Sequence, residues 1–156
     1  MNTTDRILGE ASKVRPPTKD ELTEPYQAYW YAARVLKGRW PEGEATIATS
    51  PLWACEYANH VIGGRFPEAE ATIAKSPWAL FYTKRIIKGR WPEGEATIAT
   101  GPGWAYNYAK DALKGRWLEA EATIATSPHF AELYLKHFPD AKLEWAMNGW
   151  LDWLDL

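Results

Sequence analysis

Three histidines, one cysteine and a recurring arginine-aromatic pair are the side chains of this 156-residue sequence that could do chemistry. An enzyme needs a nucleophile with its base, a carboxylate pair in a cleft, or a cluster of metal ligands. His60, His129 and His137 lack the spacing that places two imidazoles on one helical face, and Cys55 alone cannot build a zinc site. His60 and His137 share a position opposite the apolar stripe, which predicts surface histidines. No GxxxxGK or GxGxxG phosphate loop occurs, and Gly63-Gly64 and Gly101-Pro102-Gly103 read as helix punctuation. The expectation is a protein that is not an enzyme and that uses no metal or cofactor.

The remaining constellation is the loop Lys37-Gly38-Arg39-Trp40, which recurs as Gly63-Gly64-Arg65-Phe66, Lys88-Gly89-Arg90-Trp91 and Lys114-Gly115-Arg116-Trp117. Arg39, Arg65, Arg90 and Arg116 beside four aromatics resemble the basic, stacking surface of a single-strand nucleic-acid or nucleotide binder, an alternative anion-binding ladder. Yet each arginine is followed by two acids, as in Glu42 and Glu44 or Glu93 and Glu95. Helix dipoles favour lysine at one helix end and glutamate at the next helix start, so a structural ion-pair ladder with the aromatics as wedges is the preferred reading.

Positioning these loops requires a repeat. The glycines at 38, 64, 89 and 115 are separated by 26, 25 and 26 residues, and EATIA blocks follow at Glu44, Glu70, Glu95 and Glu121 in step. Each copy predicts a helix of about 12 residues and one of about 8. The first opens at Ser50-Pro51, Ser76-Pro77, Gly101-Pro102 or Ser127-Pro128, with serine as the cap and proline at the first helical position. Trp53, Ala54, Tyr57, Ala58, Val61 and Ile62 form its apolar stripe, Trp104 and Tyr57 are expected to be buried, and Gly64 reads as a left-handed C-cap. The second helix opens at Pro67 with Glu68 and Glu70 in its first turn. Helices this short need neighbours, so the predicted fold is all-α, a short α-solenoid of four and a half helical hairpins. The copies span about 25–50, 51–76, 77–101 (one residue short after its Pro), 102–127 and a partial 128–140.

A repeat protein carries its own control: positions held constant serve shared packing, and positions that vary are free to meet a partner. The variable positions of the long helix form a second stripe that mixes aromatics with bases, the composition of recognition hot spots. The partner-binding residues it nominates are Trp30, Phe81, Lys84, Arg85, Tyr106 and Lys110. The competing reading packs Trp30, Leu80 and Phe81 on neighbouring helices and leaves the rest as solvated surface.

Composition sets the frame. Hydrophobic residues make up 46% and charged residues 24%, with 18 Lys plus Arg against 20 Asp plus Glu for a net charge of -2, which announces neither a nucleic-acid nor a membrane binder. Ten Trp and eight Tyr against two Met predict a core filled by aromatics. One Cys excludes an intramolecular disulfide and fits a reducing cytosol, while the absence of a membrane-length apolar run or an apolar signal core predicts a soluble, cytoplasmic protein. Residues 1–17 read as a flexible tail, with Thr18 and Glu21 as a capping box, before a single repeat domain over 18–156. Residues 141–156, with Leu143, Met147, Trp150, Leu151 and Leu154 at helical spacing, read as a capping helix that leaves Trp153 partly exposed. The alternative is a docking segment for a partner or a second copy, so monomer and dimer both stand.

The unit read from Tyr82, YTKRIIKGRWPEGEATIAT, resembles tandem repeats of uncharacterised proteins encoded by bacteriophages and large DNA viruses, over residues 25 to about 135. The fifth copy departs from it at Phe138-Pro139. The resemblance implies a viral origin, work in the host cytoplasm, and a host protein, such as a defence factor, as the partner to be blocked or redirected. It implies no catalytic residue.

Overall fold

The computed structural model describes residues 21–143. They are helical, with no strand among them, and the chain divides into two compact units, Met1–Trp78 and Ala79–Leu156. The expected tail, Thr18 of the capping box, and the C-terminal helix beyond Leu143 with Met147, Trp150, Leu151, Trp153 and Leu154 lie outside the described residues.

The first unit runs α1 (Pro25–Trp30), α2 (Pro41–Ile47), α3 (Pro51–Tyr57) and α4 (Pro67–Ala74). The second runs α5 (Ala79–Tyr82), α6 (Pro92–Ile98), α7 (Pro102–Asn107), α8 (Glu121–Ile124) and α9 (Pro128–His137). The long helices of four copies widen partway into π-helix, over Tyr31–Leu36, Ala58–Ile62, Thr83–Ile87 and Tyr108–Leu113. The long-short alternation predicted from the repeat is therefore present. Within the first unit α1 packs on α2 and α3, and α3 on α4; within the second α7 packs on α8 and α9.

Three local expectations are corrected. Ser50 and Ser127 sit at the caps but make no side-chain cap bond; with Gly101 they share an extended backbone (φ -111, -115 and -115). What the slot requires is the extended conformation forced on a residue before proline, which glycine meets as well as serine. The left-handed residue is not Gly64 but the one before it: Gly63 (φ 68), and in other copies Lys37, Lys88 and Lys114 (φ 54, 56 and 53). The i→i-5 bonding of the π turn ends there. The N–H of Lys37 and that of Gly38 (3.2 Å) both donate to the Ala32 carbonyl, as those of Gly63 and Gly64 (3.1 Å) do to Ala58. In the third copy, one residue shorter after Pro77, Trp78 is a turn residue and α5 keeps only four residues. Ser76 Oγ there donates to the Ile73 carbonyl (2.7 Å) and accepts from the Trp78 N–H (3.2 Å).

The core is aromatic. Tyr31, Tyr57, Tyr82, Tyr108 and Tyr134 are buried, each with its ring near the loop aromatic of its own copy: Trp40 (5.0 Å), Phe66 (5.3 Å), Trp91 (5.2 Å), Trp117 (4.7 Å) and Phe138 (4.9 Å). The expectation for Trp104 is overturned, because it is 39% exposed. Its ring lies back over the turn that starts its own helix, 3.1 Å from where a Gly101 β-carbon would stand, instead of entering the core. Tyr106, placed by the sequence on the variable stripe, is buried, and so is Cys55.

Ring size sets the next helix start. A β-carbon at Gly43 would overlap the Trp40 ring, and one at Gly94 would stand 2.5 Å from Trp91 Cε3. Where the ring is the smaller Phe66, the matching residue is Ala69 and α4 still starts at Pro67. Where Trp117 meets Ala120 and proline is replaced by Leu118, the first turn tightens to a 3₁₀ turn over Leu118–Ala120 before α8. The fifth copy keeps this loop although it lacks the π turn and the Gly-Arg pair. Phe138 has the backbone of the other loop aromatics (φ -124, ψ 79 against -128 and 85 at Trp40), and the Ala141 N–H donates to its carbonyl (3.0 Å) as Gly43 does to Trp40.

Candidate functional site

The arginine loop folds onto itself through one bidentate pair of hydrogen bonds. Arg39 Nε and Nη2 donate to Glu44 Oε1 and Oε2, both at 2.9 Å. Tyr57, from the next long helix, donates its hydroxyl to Glu44 Oε1 (2.8 Å) and accepts the backbone N–H of Trp40 (2.8 Å). The same latch recurs in the second unit as Arg90–Glu95–Tyr108–Trp91 and Arg116–Glu121–Tyr134–Trp117. Arg65 pairs with Glu70 in the same fork, at 2.7 and 2.6 Å. The latches at Glu44, Glu95 and Glu121 thereby tie a loop and short helix to the following long helix through charge-assisted bonds.

The electrostatics follow the geometry. Burial pushes the Glu44 carboxyl up, but the hydrogen bonds from Arg39 and Tyr57 and the Arg39 charge outweigh it and hold the group below the ordinary glutamate value. Burial, reinforced by the Glu44 carboxylate and opposed by the Trp40 N–H and the Arg39 charge, pushes the Tyr57 phenol up to about 12. Tyr134 reaches about 12 for the same reasons, and Tyr108 is raised likewise.

This arrangement places the four arginines nominated as an anion-binding ladder. Arg39, Arg65, Arg90 and Arg116 each have their fork closed by a glutamate, and Arg116 also reaches the Asp140 carbonyl (3.1 Å). Trp40, Phe66, Trp91 and Trp117 are buried, so none presents a ring face for a base to stack on. The indole N–H groups of Trp91 and Trp117 are buried without a hydrogen-bond partner.

The variable stripe falls in both units. Trp30 is half-buried in the first. In the second, Phe81 is half-buried, Lys84 and Arg85 are exposed, Lys110 is half-buried and Tyr106 is buried. Arg85 lies over the Phe81 ring (5.8 Å) and Lys110 over the Tyr106 ring (5.3 Å). Lys84 Nζ pairs with Asp111 Oδ2 (2.7 Å) and Lys110 Nζ approaches Asp111 Oδ1 (3.6 Å). Burial raises the Asp111 carboxyl, but the two lysines outweigh it and leave it below its ordinary value. Asp111 was not among the nominated residues. Its signal was charge: it is the one acid at a register otherwise held by Arg34, His60, Arg85 and His137.

The histidines remain apart. His60 pairs with Glu56 (3.2 Å), His129 lies against Phe130 and His137 against Phe138. Burial and the neighbouring Glu56 push the Cys55 thiol up to about 12, which keeps it protonated and unreactive at neutral pH. Among the described residues no group of three His, Cys, Asp or Glu side chains could hold a metal, and no helix is long and apolar enough to cross a membrane. Comparison with protein-family models, curated proteins and solved structures gives no match.

Proposed function

We propose that the chain is a non-catalytic binding protein, a short α-solenoid that engages another protein through the variable side chains of its long helices. One observation carries this reading. At the register where the first unit has Ala33 and Asn59, the second has Lys84, Lys110 and Lys136, although the supporting helices repeat the same pattern. Packing that accepts alanine and asparagine at this position does not require lysine there, so packing alone does not account for the lysines and recognition does. The closed Arg-Glu forks support a structural role for the ladder, since a phosphate would have to displace a bidentate carboxylate at each arginine. With the resemblance to viral repeat proteins, the reading extends to a phage-encoded protein that binds and blocks or redirects a host protein in the host cytoplasm.

The test is capture from a bacterial lysate by the full chain and by a Phe81→Ala/Arg85→Glu double variant whose circular dichroism matches the parent. Loss of the captured species in the variant supports the stripe. Unchanged capture removes it.

A further inference from the structure

The long helices of the second unit, with their C-terminal caps, carry six bases, Lys84, Arg85, Lys88, Lys110, Lys114 and Lys136, and two acids, Asp111 and Glu132. The corresponding helices and caps of the first unit carry Arg34 and Lys37 against Glu56. Because the whole chain has a net charge of -2, the positive excess is local to these helices and is balanced elsewhere. The loops and short helices of the same unit show where in part, with Glu93, Glu95, Glu119 and Glu121 against two bases, Arg90 and Arg116, which close on Glu95 and Glu121. Such a separation of charge raises the local concentration of an oppositely charged partner.

Three of the positive groups, Lys84, Arg85 and Lys110, are also held in place. Asp111 sits between Lys84 and Lys110 at 2.7 and 3.6 Å, and the cationic heads of Arg85 and Lys110 lie over the Phe81 and Tyr106 rings. Side chains fixed before binding lose less entropy when a ligand arrives. The aromatics serve as supports for the cations, since Tyr106 is only 9% exposed beneath Lys110 and the loop rings are buried. A single-stranded nucleic acid needs open ring faces for its bases, whereas a carboxylate needs only the cationic heads.

Resting on the reading proposed above, we infer that the partner surface recognised by the π-helical stretches Thr83–Ile87 and Tyr108–Leu113 together with α9 is an acidic, Asp/Glu-rich protein segment. The probe is a fluorescein-labelled 12-residue peptide of eight Glu/Asp and four Leu, titrated with the full-length protein. Comparison probes are the same peptide with lysine replacing each acid and a labelled oligo-dT of equal length. The acidic peptide is expected to bind, with affinity that falls as salt is added, while the basic peptide does not. Lys84→Gln/Lys110→Gln/Lys136→Gln should weaken it about tenfold. Arg34→Gln/Lys37→Gln/Lys75→Gln, which removes the same charge elsewhere, should change it by less than about twofold.

Equal weakening by the two triple variants, tighter binding of oligo-dT than of the acidic peptide, or no binding of the acidic peptide overturns the inference. If the acidic peptide fails while lysate capture still depends on Phe81 and Arg85, the partner chemistry is wrong and the surface stands. If neither depends on these residues, both readings fall.

Discussion

One phenolic oxygen has two partners in each latch, accepting the backbone N–H of the loop aromatic and donating to the glutamate that grips the arginine. Tyr108→Phe keeps the ring but strands the buried Trp91 N–H and removes a donor from Glu95. It should cost about 1–3 kcal/mol in urea unfolding, whereas Tyr106→Phe should stay within about 0.5 kcal/mol. The two Trp and Tyr positions that sequence alone treated alike now separate. Tyr57→Ala should cost about 3–5 kcal/mol, as for a buried aromatic, while Trp104→Ala should cost about 1 kcal/mol because that ring is substantially solvated. Equal losses would mean that Trp104 is enclosed. Periodicity placed both on one stripe because it reports a side chain's angle around the helix. It does not report whether a neighbouring ring occupies the space first, nor where a tyrosine hydroxyl finds its partners.

At the level of the helix, the loop ring and the residue three places on act as a matched pair. Gly94→Ala drives a methyl into the Trp91 ring, and the α6 start must shift as it does beside Trp117. This should cost about 1–3 kcal/mol, read by thermal or denaturant melting. Leu118→Pro with Ala120→Gly restores the pattern of the third copy and should turn the 3₁₀ turn into regular α-helix, seen as new backbone amide protection at the start of α8. The long-short alternation and the proline starts were legible because they depend on local backbone preference. The π turns were not, since widening a helix by one residue leaves no mark on the spacing of apolar side chains over so short a run. The same shift explains why the left-handed residue falls on Lys88 and not on Gly89.

For the whole chain, the latches and the Asp111–lysine pairs predict two pH limits. Glu44 and Asp111 lie below their ordinary values when folded, so the stability they supply is present above the ordinary carboxylate range and is lost as pH falls through their folded values. Tyr57 and Tyr134 are raised to about 12. Their contribution is complete below the ordinary phenol value of about 10 and is lost as pH rises from there towards about 12. Melting temperature should therefore fall on both sides of a broad plateau. The tyrosine absorbance step on alkaline titration should coincide with unfolding, and in Tyr57→Phe/Tyr134→Phe, already less stable at neutral pH, the alkaline fall should be shallower.

The fifth copy bears on how such a gene can grow. In the latches described here, the loop aromatic offers its N–H to a tyrosine that follows, and its glutamate waits for the same hydroxyl. At the end of the array the Phe138 N–H is already taken by the Tyr134 carbonyl (2.7 Å), and Lys142 stands at the position where the earlier copies have glutamate. A 26-residue segment duplicated in frame ahead of Pro128 brings both a hydroxyl for the loop before it and a loop for Tyr134. The same segment appended after Phe138 meets a spent donor and a lysine. A copy inserted before Pro128 would thus keep the latch at each junction, whereas one joined after Phe138 would lack it.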